Sequence, residues 1–125
     1  MKLQGKVIKG LGEAKFWVGK INKIFKEEFQ MNLFPGTLNI KLEQNYKMEN
    51  YAIISPEKYG GIYDVYVKKC LIFDKEAYIL RTSKNETGNG DHPLTIIEIV
   101  SDINLREKFN LKDDAEVQIN IWKNK

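Results

Sequence analysis

The sequence predicts a mainly β protein: a compact barrel of short strands carrying one or two short helices at its edges. Several observations lead there. Seven segments rich in β-branched and aromatic residues read as strands, at 3–9, 37–42, 52–54, 62–73, 77–81, 95–100 and 115–122. Only two stretches carry helical spacing or a helix-start signal. No internal repeat or low-complexity tract divides the chain, so residues 1–125 are expected to form a single domain with one modest core.

The elements follow in order. Strand 3–9 runs into GLGEAKFWV at 10–18, where Gly10 and Gly12 permit close backbone approach. Successive amides in such a bend can form a concave anion site, with Lys15 adding charge; an ordinary turn is the other reading. The segment is not a Walker loop, because position 14 is Ala and Gly19-Lys20 is followed by Ile21. A helix is expected over 21–31, where Ile21, Ile24, Phe25 and Phe29 form an apolar stripe. Pro35-Gly36 then turns the chain into strand 37–42, with Leu38, Ile40 and Leu42 on one face and Thr37, Asn39 and Lys41 on the other.

Thr37 and Asn39 each offer a neutral oxygen. Magnesium takes such donors when a polyphosphate supplies the negative charge, while a solvated strand face explains the same pattern. FDKEAY reads as a hairpin turn centred on Asp74-Lys75, and SKNETGNGDHP (83–93) as a long surface loop. Glu98, between Ile97 and Ile99, needs partners if buried or else points to solvent. SDINLREKF offers Ser101 or Asp102 as the N-cap of a short helix ending near Asn110. Arg106 suits a phosphate or a base edge, or a surface salt bridge with Asp102. The last strand alternates Val117, Ile119 and Ile121 with Gln118, Asn120 and Trp122.

Bulk properties exclude several classes. A net charge of +3 is too small to imply a nucleic-acid binder, and no apolar run is long enough to span a membrane. The opening MKLQGKVIKG lacks the apolar block of a secretory signal, so a cytoplasmic protein is expected. Cys70 is the single cysteine, read as a packed strand residue, and His92 is the single histidine, read as a surface loop residue. Residues 1–26 hold Lys2, Lys6, Lys9, Lys15, Lys20, Lys23 and Lys26 against Glu13 alone; such a segment either attracts anions or forms a solvated face.

Taken in order, GLGEAKFWV, FPGTLNIKL, HPLTIIEIV and INLREKFNLKDDAEV resemble the archaeal-type CTP-dependent riboflavin kinase family over nearly the whole chain. The resemblance implies a six-stranded riboflavin-kinase-like (cradle-loop) β-barrel that transfers the terminal phosphate of CTP to the 5'-hydroxyl of riboflavin, giving FMN and CDP. It implies nucleotide contacts from Gly10, Leu11, Gly12, Glu13, Ala14 and Lys15 around the phosphates, and from Ile103, Asn104, Leu105 and Arg106 at the cytidine end. Thr37 and Asn39 would hold one Mg²⁺. Glu98 would meet the flavin side, where it could also orient or deprotonate the attacking hydroxyl. A monomer with no nucleic-acid or membrane partner is expected. Two positions depart from the family pattern: Ala14 stands where glycine is usual, and Gly90 where a flavin-contacting threonine is common, with Thr87 a substitute. These departures motivate an alternative, a nucleotide- or flavin-binding regulatory paralogue without kinase activity.

Overall fold

The computed structural model describes residues 1–10, 14–90 and 92–121, with the side chains of 14–16 excepted. Its elements are β1 (Lys2–Ile8), α1 (Ala14–Glu28), β2 (Leu38–Leu42), β3 (Ala52–Ile54), α2 (Pro56–Tyr59), β4 (Val65–Ile72), β5 (Lys75–Thr82), α3 (Ser83–Glu86), β6 (Ile96–Val100), α4 (Leu105–Lys108) and β7 (Glu116–Ile121). Six strands close into an antiparallel barrel in the order β4-β5-β6-β2-β1-β7, with β7 returning to β4. The extra strand, β3, pairs with Val65–Val67 of β4, while β7 pairs with Cys70–Ile72. The two therefore share one edge of β4 end to end.

Alternation explains the interior. Val7, Ile40, Cys70, Ile72, Ile79, Ile97 and Ile119 point inward and are buried, as expected for Cys70. A second apolar cluster lies outside the barrel. There Val18, Ile21, Ile24 and Phe25 of α1 pack on Val65, Val67, Tyr78, Leu80 and Val100. Phe25 and Tyr78 meet edge-on at 5.4 Å. Covered on both faces, β5 buries the unbroken run Ala77–Arg81 and β4 buries Lys68 beside Val67, so neither strand alternates cleanly.

Local chemistry shifts several boundaries. Helix α1 starts seven residues before the expected 21, because Val18 continues the apolar stripe that docks on the barrel. It ends at Glu28, where Gln30 adopts φ 54° and Met31 N–H bonds back to Phe25 O at 3.2 Å, closing the last turn. The β4–β5 hairpin turns on Phe73-Asp74, not Asp74-Lys75. Both residues have positive φ, 50° and 63°, and Ile72 faces Lys75 across the ladder. Asn104, rather than Ser101 or Asp102, caps α4, its Oδ1 accepting from Glu107 N at 3.1 Å.

Segment 83–93 is not wholly a surface loop. It opens with the turn α3, capped by Thr82, which sends Glu86 inward to Arg81 at 2.7 Å and to Met48 N at 2.6 Å. Arg81 also donates to the carbonyls of Tyr46, Leu94 and Ile96. This buried, hydrogen-bonded ion pair pins the β2–β3 and β5–β6 connections to each other.

Candidate active site

The barrel's outer face carries the polar cluster. Alternation that sends Leu38, Ile40 and Leu42 inward turns Asn39 outward, beside the last residue of β1 on one flank and β6 on the other. In the ladders Asn39 stands opposite both Ile8 and Glu98. Thr37 lies one residue before β2, and the Asn39 amide donates to its Oγ1 at 3.3 Å. Asn39 is 7 % exposed, so its amide is held among protein groups rather than solvated.

Gly10 completes the cluster. A Cβ there would stand 2.5 Å from Asn39 Nδ2, so the backbone leaving β1 presses directly on that amide. Four residues on, α1 begins, its first-turn N–H groups lacking intrahelical partners and its dipole favouring negative charge. Leu11, Gly12 and Glu13 lie outside the described residues. The backbones of Ala14 and Lys15 belong to the helix rather than to a loop, and their side chains lie outside the described residues. Asn39, bonded to Thr37, thus packs against Gly10.

Glu98 adds a carboxylate. Burial pushes its pKa up to about 7, and a hydrogen bond with the Thr37 side chain opposes that rise. His92 Nδ1 stands 3.6 Å from Glu98 Oε1, beyond hydrogen-bond length. The His92 side chain is 16 % exposed, so it is not the surface residue expected. Among the described residues, no group of three His, Cys, Asp or Glu could hold a metal. Among the described residues, the oxygens of Thr37 and Asn39, with Glu98 adjoining, are the donors a cation could use here.

A cavity of about 50 Å³ opens next to Thr37, between Phe34 and Gly36 on one side and Ile103 to Arg106 on the other. The sequence-expected cytidine segment is therefore brought to the expected metal pair. Its side chains already have structural partners: Asn104 caps α4, Leu105 is buried in the interior, and Arg106 bonds Asp113 at 3.0 Å and Ile8 O at 3.4 Å. Arg106 pairs with Asp113 rather than Asp102, which is taken by Lys75 at 2.5 Å.

Thr87 is exposed at the end of α3. Its hydroxyl donates to Lys84 O at 2.9 Å and accepts from Asn89 at 3.3 Å, closing its own turn. At Gly90 a Cβ would fall 1.6 Å from Asn85 Oδ1, which accepts from His92 N at 3.3 Å. Asn85 therefore occupies the space a threonine at 90 would require. No sequence signal marked Asn85, because its role depends on the fold of 83–92.

Comparison with known proteins gives one consistent result. The sequence model of a family designated CTP-dependent riboflavin kinase, and described as a domain of unknown function, DUF120, matches residues 7–121. A protein of Staphylothermus marinus named riboflavin kinase is 31% identical over 125 residues, covering 98% of this chain and 92% of its own length. Another of that name, from Methanococcus maripaludis, is 31% identical, with 95% and 98% covered. A third, from Saccharolobus solfataricus, is 29% identical, with 98% and 74% covered.

Proposed function

Since the chain belongs to the CTP-dependent riboflavin kinase family, we propose that it transfers the terminal phosphate of CTP to the 5'-hydroxyl of riboflavin, giving FMN and CDP. The observation that carries this reading is the meeting of Gly10, Thr37, Asn39 and Glu98 at the end of β1, next to the start of α1. Phosphoryl transfer asks the protein for in-line positioning and neutralisation of charge, with little covalent chemistry. Backbone amides near Gly10 and at the first turn of α1 are the groups to receive the phosphates.

The donor set fits magnesium. Thr37 and Asn39 supply neutral oxygens within one hydrogen-bonded pair, and a polyphosphate would supply the balancing charge. Thr37 and Asn39 would hold one Mg²⁺ there with CTP, and the ion would offset the charge that develops on the phosphates. Glu98, titrating near neutrality, is the group to accept the hydroxyl proton. The flavin oxygen then bonds to the γ-phosphorus as the bond to the β-phosphate oxygen breaks, and CDP leaves. Ile103 to Arg106 border the cavity for the cytidine end. Riboflavin would approach from the Glu98 side, bordered by the segment that carries Thr87 and His92.

Purified protein incubated with riboflavin, CTP and Mg²⁺ should form FMN, resolved from riboflavin by chromatography, and ATP should replace CTP poorly. Absence of FMN under these conditions overturns the kinase reading. One observation favours a second reading: Asn85 fills the space beside Gly90, so flavin contacts there are altered. Saturable CTP binding without FMN formation would select the non-catalytic paralogue.

A further inference from the structure

We propose that Phe34 is the platform on which the base of the nucleotide stacks, a role that rests on CTP being the donor. Phe34 belongs to neither apolar cluster and is 36 % exposed, so packing of the fold does not explain it. Its ring borders the same cavity as Thr37, with Ile103 and Asn104 across the gap.

The ring is presented by a pinned backbone. Phe34 N–H donates to Ser101 O at 2.9 Å, and its own carbonyl accepts from Gly36 N at 2.8 Å. Pro35 fixes the backbone between them. The preceding Leu33 is buried, and its N–H donates to Asn22 Oδ1 at 2.7 Å. A Cβ at Gly36 would lie 3.2 Å from Phe34 Cε2, so the ring packs over a residue without a side chain. A flat ring on an anchored turn loses little freedom when a second ring stacks on it.

Placement and chemistry agree with a base rather than a phosphate. Among the described residues, the one ionic side chain bordering the cavity is Arg106, and its guanidinium is paired with Asp113. Two residues, Pro35 and Gly36, separate Phe34 from Thr37, a reach of at most about 11 Å, so a nucleotide seated on the ring can extend its phosphates to the Thr37–Asn39 pair. Phosphate grip and base grip are then separate devices on one turn.

That separation provides the test. CTP and inorganic tripolyphosphate, each with Mg²⁺, are titrated calorimetrically into wild type, Phe34→Ala and Phe34→Trp. Loss of one stacked base should weaken CTP binding about ten- to hundredfold in Phe34→Ala. Tripolyphosphate affinity should stay unchanged, and Phe34→Trp should bind CTP within a few-fold of wild type with its added indole emission quenched. Phe34→Ala binding CTP as tightly as wild type overturns the stacking role. Equal weakening of both ligands overturns it too, since that pattern belongs to a residue supporting the phosphate site. Wild type failing to bind CTP at all removes the donor assignment itself, and the platform with it.

Discussion

Replacing Glu98 with Gln should stabilise the protein at alkaline pH while abolishing FMN formation. The ordinary glutamate value is 4.5, and burial raises that of Glu98 to about 7. An acid that titrates higher in the folded state costs stability as pH rises. Below about pH 4 the group is neutral in both states and costs nothing. Between 4.5 and 7 the unfolded chain ionises while the native state keeps its proton, so stability falls. Above pH 7 the loss is complete, at about 3 kcal/mol. Gln is close in shape, permanently neutral, and keeps an oxygen to accept from Thr37.

Wild type and Glu98→Gln should therefore have nearly equal stability near pH 4. At pH 8 the variant should lead by about 3 kcal/mol, a Tm difference on the order of 10 °C for a chain of this size. Thermal and urea denaturation followed by circular dichroism across pH 4 to 9, with EDTA and no nucleotide, measures the gap. A gap independent of pH, or a variant weaker than wild type at pH 8, would refute the placement of Glu98 in a desolvated site. Gain of stability with loss of turnover is the expected mark of a carboxylate kept for chemistry rather than for folding.

Other perturbations test neighbouring statements. Gly10→Ala should lower CTP affinity at least tenfold by displacing Asn39, which its Cβ would meet at 2.5 Å, while circular dichroism stays unchanged; unaltered affinity would separate Gly10 from the site. Arg81→Met should cost about 3–5 kcal/mol in urea unfolding, because it leaves Glu86 buried without its partner and strips the carbonyls of Tyr46, Leu94 and Ile96. A cost below about 1 kcal/mol would contradict the structural role of that pair. Cys70, its thiol pushed up to about 12 by burial, should resist a thiol reagent in the native state and react on unfolding; rapid native labelling would mean that β4 opens locally.

Much of the site was legible as residue types but not as a site. Thr37, Asn39 and Glu98 stand out as polar positions within apolar strands. Their proximity comes from the β2–β6 register, which sets Asn39 opposite Glu98; a slip of one residue would turn one of them into the barrel interior. Phe34 was visible only as part of a motif, because the sequence does not reveal which aromatic residues the cores leave unused. The fit of Asn85 against Gly90 was opaque for a related reason. Their contact exists only once Thr82 caps α3 and the chain folds back to His92.

The sequence by itself determined the periodic features. Content of β-branched and aromatic residues marked the seven strands, including β3 to the residue, and alternation placed the inward-facing apolar row of β2. These are local rules, with a period of 2, that any half-buried strand obeys. Only the tertiary structure decided where α1 begins, which turn residues close the β4–β5 hairpin, and that Arg81 and Glu86 are buried together. Two of those depend on partners distant in the chain, the outer barrel face for α1 and Tyr46 and Met48 for the ion pair, while the turn follows from the β4–β5 register. Local preference is weak enough for such contacts to override it, so barrel closure rather than the residues alone assembled Gly10, Asn39 and Glu98 at one spot.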